Sequence, residues 1–129
     1  MRAPEETFTG ETAAKISNAV VKVLHEYTGR GPTKAKTYIG DELVSVVLAD
    51  TLTRGERTLV AGGSSETVLD VRKDYQRMMR TALVGAVEGI TGRNVIAFMS
   101  DNHIDPDYAV ETFVLEAVRT EDEPAAYAA

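Results

Sequence analysis

The sequence predicts an α+β fold with the element order α-β-β-α-α-β-β, an antiparallel four-stranded sheet carrying its long helices on one face. Three observations predict it. Two long stretches repeat apolar residues every three or four positions, and four short runs between and after them are β-branched or alternate in polarity. A short segment, Thr28-Gly29-Arg30, returns as Thr91-Gly92-Arg93, each time closing a helical run and opening two strand-like runs. The chain therefore reads as two αββ units joined by additional helix.

The first helix opens at Thr9, a capping residue, with Glu11 in the first turn, where its charge suits the helix dipole. Ala13, Ile16, Val20, Val23, Leu24 and Tyr27 form one apolar stripe. Gly29 ends the helix and Pro32 prevents a restart. His25, near that end, reads as an exposed histidine favoured by the dipole rather than as a ligand.

Residues 33–39 alternate Lys34, Lys36 and Tyr38 against Ala35, Thr37 and Ile39, the pattern of a half-buried strand. Gly40-Asp41 suggests a tight hairpin with Gly40 at positive φ. Residues 43–49 are apolar on both faces, which places this strand centrally in the sheet or under a partner chain.

Thr53-Arg54-Gly55-Glu56 has the form of a capping box, so a short helix is expected over 56–61. Gly62-Gly63 breaks it, and Ser64 or Ser65 starts a long helix reaching about Ile90. The apolar stripe of that helix is wide enough to require packing on the first helix or on another subunit. Arg72, Lys73, Arg77 and Arg80 read as a solvated basic side paired with Asp70 and Asp74. Residues 94–100 form the third strand, 101–107 a turn-rich loop, and 108–117 the last strand. Residues 1–8 and the acidic stretch 119–129 carry no core signal and read as flexible ends of a single domain spanning 9–118.

Composition narrows the function classes. The 129 residues hold no cysteine, which removes disulfides, thiolate metal sites and cysteine nucleophiles. The net charge of −6 argues against nucleic-acid binding. There is neither a signal-peptide core at the start nor an apolar run long enough to span a bilayer, so a cytoplasmic protein is expected, with no direct membrane insertion.

Two clusters invite chemistry. Arg30, Lys34 and Lys36 lie close in sequence and could hold an anion or an acidic partner, although the glycines around them follow a helix and lack a Gly-Lys-Ser/Thr ending, so this is no P-loop. Asp101, His103, Asp105 and Asp107 alternate in the last loop. A calcium loop would need a central glycine and a closing glutamate, and zinc would need further strong ligands, so turn chemistry explains them better than a metal. The Asp101–His103 pair could assist acid–base work, but no nucleophile stands beside it, and Ser64 and Ser65 read as helix caps. Catalysis, cofactors and metals are not expected.

Gly29-Arg30-Gly31-Pro32, the run Asp50 to Glu56, and Thr91-Gly92-Arg93 followed by Phe98-Met99-Ser100-Asp101-Asn102-His103 together resemble the small bacterial MpsC-like family over about residues 10–117. That resemblance implies an association with a two-protein membrane system for cation-coupled transport, linked to inorganic-carbon uptake, and transfers no catalytic residue. The expected function is a non-enzymatic accessory or interaction module, a homodimer working peripherally to the membrane through transporter subunits. The alternatives are a small-ligand or anion sensor using Arg30, Lys34, Lys36, Asp101 and His103, and an enzyme centred on Asp101 and His103.

Overall fold

The computed structural model describes residues 10–118. The proposed cap Thr9 and the stretches 1–8 and 119–129, expected from the sequence to be flexible ends, lie outside the described residues. Seven elements follow in the expected order: α1 (Gly10–Thr28), β1 (Lys34–Ile39), β2 (Leu43–Ala49), α2 (Arg54–Ala61), α3 (Ser65–Thr91), β3 (Val95–His103) and β4 (Tyr108–Leu115). All strand pairings are antiparallel and the spatial order is β1-β2-β4-β3. The apolar strand β2 is therefore central. Each αββ unit contributes one hairpin, and the two hairpins join through β2 and β4.

One face of the sheet is the core. Val44, Val46 and Leu48 of β2 and Ala109, Phe113 and Leu115 of β4 meet Ile16, Val20, Val23 and Leu24 of α1 and Met79, Leu83 and Val87 of α3. Here α1 lies over β1 and packs along α3, which covers β3. The wide stripe of α3 is thus satisfied largely by the first helix, as its width required. Ser17 of α1 and Thr37 of β1, both polar at this boundary, close a hydroxyl–hydroxyl hydrogen bond of 2.7 Å. Phe98 stacks at a tilt on Phe113, with ring centres 5.1 Å apart.

Three local readings change. Gly40 is not at positive φ; its amide bonds to the Leu43 carbonyl (2.7 Å), so the turn is centred on Asp41-Glu42, one residue later than expected. β3 runs to His103, because Asp101, Asn102 and His103 continue the ladder against Val110, Ala109 and Tyr108, so Asp101 and His103 are strand residues. Ser64 precedes α3 without a side-chain cap bond.

The repeated corner is real geometry. Gly29 and Gly92 have φ of +77° and +71°, conformations that glycine adopts freely. In each copy the threonine hydroxyl donates to the carbonyl four residues back (2.7 Å from Thr28 to Leu24, 2.8 Å from Thr91 to Val87). The arginine then reaches the end of its own unit's second strand. Arg30 Nε donates to the Asp50 carbonyl, just past β2, and Arg93 donates to the Glu116 carbonyl, just past β4.

Candidate functional site

The sheet places the residues singled out from the sequence in three separate locations. Arg30 folds back onto the end of β2, where it pairs with Asp50 at 2.6 Å. Lys34 and Lys36 lie exposed on β1, and Lys36 Nζ sits 5.1 Å from the centre of the Tyr38 ring. Asp101 and His103 lie exposed on β3, at the opposite edge, with β2 and β4 between. His103 Nδ1 is 2.7 Å from the Pro106 carbonyl; a carbonyl only accepts, so Nδ1 carries the proton. Within one chain the two lysines and the Asp101–His103 pair are about 14 Å apart, three strand spacings.

The polar centre of the molecule is elsewhere, around Arg72. Its five N–H donors are all used: Nε and one terminal nitrogen hold both oxygens of Glu56 (3.0 and 2.7 Å), and the others reach the Thr51 hydroxyl and carbonyl and the Asn102 amide oxygen (2.9–3.0 Å). Arg72 and Glu56 side chains are only 13% and 14% exposed, so this is a desolvated, bidentate pair. The expected pairing of Arg72 with the helix's own aspartates gives way to it, because Arg72 shares the inward side of α3 with Val68 and Met79. Arg77 does pair with Asp74.

Around this pair the run 50–56 is tied tightly. Thr53 and Glu56 form the reciprocal capping box. The Asp107 carboxylate accepts from the Thr51 hydroxyl (2.8 Å) and the Leu52 amide (2.9 Å), fastening the β3–β4 turn to the start of α2. Asp50 adopts φ of 59°, a conformation aspartate tolerates better than most residues, and pairs with Arg30 and Arg57. The hydrogen bond from Arg30 holds the Asp50 carboxyl below its usual range. For Glu56, burial opposes the charge, but the bonds from Arg72 and the Thr53 amide outweigh it and the carboxyl is lowered.

Behind Arg72, Glu111 of β4 points into the core side of the sheet and is 3% exposed. Its Oε1 has no hydrogen-bond partner, and neither does the hydroxyl of Ser100, its register neighbour on β3. Burial pushes the Glu111 carboxyl up to about 7, against smaller opposing effects from the nearby Ser100 hydroxyl and the Arg72 charge. Glu111, Arg72, Gln76 and Asn102 line a cavity of about 30 Å³, room for one or two water molecules. Among the described residues, no three acidic or histidine side chains converge as a metal site requires.

The reverse face of the sheet has no covering layer among the described residues. Tyr38, Leu43, Met99 and Tyr108 are each about half exposed there, and Val47, Val110 and Val114 are partly covered only by one another and their neighbours. Sequence reasoning found the apolar strand but not the full extent of this face. It also missed Arg72 and Glu111, although Glu111 alternates in step with Ala109, Phe113 and Leu115, a carboxylate written into a core pattern.

The family model described as the Na+-translocating membrane potential-generating system (MpsC) matches residues 9–117. The chain belongs to the MpsC family. The three stretches that carry the resemblance are, in the fold, the two equivalent helix corners, the run tied to Arg72, and strand β3. No curated protein and no solved structure matches the chain. No helix among the described residues is long and apolar enough to cross a membrane.

Proposed function

We propose that this MpsC protein is a non-enzymatic interaction module, cytoplasmic and self-associating, that serves the membrane components of a cation-translocating system. The observation that carries the reading is the uncovered sheet face, where four large apolar side chains stand about half exposed in an otherwise ordinary two-layer fold. The family description supplies the membrane system. A second exposed apolar pair, Val71 and Met78, lies two turns apart on one side of α3 and is the surface we assign to the membrane component. An anion sensor built on Arg30, Lys34, Lys36, Asp101 and His103 is less well supported, since those residues do not converge.

The test is affinity purification of the tagged protein from its native host after mild crosslinking and solubilisation of membranes. Reproducible recovery of a membrane transport protein, lost in a folded Val71→Glu/Met78→Glu variant, is the expected result. Recovery of the bait alone would overturn the membrane assignment.

A further inference from the structure

The outer face of the sheet carries its charges at opposite edges, and they fall on shared cross-strand rows. Lys36, Val47, Val110 and Asp101 occupy one such row, running across β1, β2, β4 and β3. A two-fold axis parallel to the strands and midway between β2 and β4 reverses a row without shifting it along the strands. A second copy related by that axis sets its Lys36 over Asp101 and its Val47 over Val110, and the reverse contacts follow by symmetry. The neighbouring rows add further contacts, of which one, Lys34 over His103, sets two basic side chains together. Tyr38 meets Met99, a favourable sulfur–aromatic contact, Ser45 meets Thr112, and the Tyr108 ring meets the small Ala49.

We infer that the outer sheet face binds a second copy of this chain, sheet on sheet, with Lys36 of each copy paired to Asp101 of the other. Two sheets so packed stand about 10 Å apart with their mean strand directions aligned, within the range that sheet-on-sheet packing adopts. Val47, Val110 and the Ser45–Thr112 pair then form the centre, Leu43, Val114 and Tyr108 flank them along the central strands, and the charged pairs lie at the rim. Four strands about six residues deep give a flat footprint on the order of 400 Å² per copy. That is small for a permanent dimer even after side-chain relief is counted, so a reversible, concentration-dependent dimer is expected. The inference refines the interaction-module reading, but it is measured on the purified chain alone, so it can fail without touching the membrane assignment.

The experiment is sedimentation equilibrium of the full chain and of Lys36→Glu and Asp101→Lys, each confirmed as folded by circular dichroism. The wild type is expected to dimerise. Each single variant, which sets like charges together twice across the two-fold, is expected to associate about tenfold more weakly. An equimolar mixture of the two variants should regain wild-type association, because every pair across that interface is again opposite in charge. A wild type that stays monomeric across the concentration range, singles that dimerise as tightly as wild type, or a mixture that fails to recover would each overturn the inference.

Discussion

Glu111 shows how one buried side chain can tie stability to pH. It faces Arg72, Gln76 and the titratable Tyr75 from α3, Glu56 from α2, Arg30 from the end of α1, and Ser100 and Asn102 from β3, around the same cavity or in direct register. The Arg72 charge is already committed to Glu56, so burial prevails and raises the carboxyl from its usual 4.5 to about 7. A carboxyl whose pKa is raised on folding binds its proton more tightly in the native state. Its contribution is complete below the unfolded pKa and is lost as pH rises through the folded one. Stability from this group should therefore decline between about pH 4.5 and 7 by roughly 3 kcal/mol, and stay level above that. Asp50 and Glu56 work in the opposite sense: their lowered values favour folding above the unfolded carboxylate range, and that contribution is lost in acid. The variant Glu111→Gln, which cannot ionise, is expected to match wild type near pH 4.5 and to be more stable at pH 8, as read by urea denaturation. An unchanged slope between pH 5 and 7 would show that Glu111 does not govern it.

Helix α2 fully buries none of its residues, Val60 being only half-buried, so the hydrophobic effect contributes little to holding it in place. What fixes it is polar: the capping box at its start and the bidentate bond from Arg72 on α3 to Glu56. Replacing Arg72 by Met removes the cation but leaves Glu56 and the Thr51 carbonyl desolvated. The expected cost is about 3 kcal/mol. Arg72→Lys should recover little of it, because an ammonium cannot supply five donors in a fixed fork. Hydrogen exchange locates the effect: amides of α2 should lose protection in Arg72→Met at least as strongly as those of the β2–β4 pair. Equal protection of α2 in both proteins would mean that another contact anchors it. This element also marks how far the sequence is legible. Its start was readable because Thr53 and Glu56 interact across one helical turn, and the helices, the strands and both Thr-Gly-Arg corners were readable for the same reason, since periodicity and capping are local. Arg72 meeting Glu56, Thr51 and Asn102 was not, as those partners lie 16 to 30 residues away and are brought together only by packing. The end of β3 was misread as loop because Asp101-Asn102-His103 has turn composition; strand pairing with β4 overrides that local preference.

At the scale of the whole molecule, the two αββ units are neither independent domains nor a simple array. Each has its own corner and hairpin, yet the core is shared: α1 packs on α3, and β2 pairs with β4 over seven residue pairs. A unit alone would uncover the stripe of its helix and the long apolar edge of its central strand, and a segment of about 60 residues buries too little surface to offset that loss. Cutting the chain at Gly63, in the glycine pair between α2 and α3, separates the units without breaking a strand or either corner. Fragments 1–63 and 64–129 are therefore expected to show no cooperative thermal transition separately, and to recover native-like circular dichroism and one joint transition when mixed. The mixture should also lose that transition when Val46, buried at the centre of the shared core, is replaced by Asp in the first fragment. A fragment that melts cooperatively alone would mean that one hairpin and one helix already suffice, and that the second unit was added to a core complete without it.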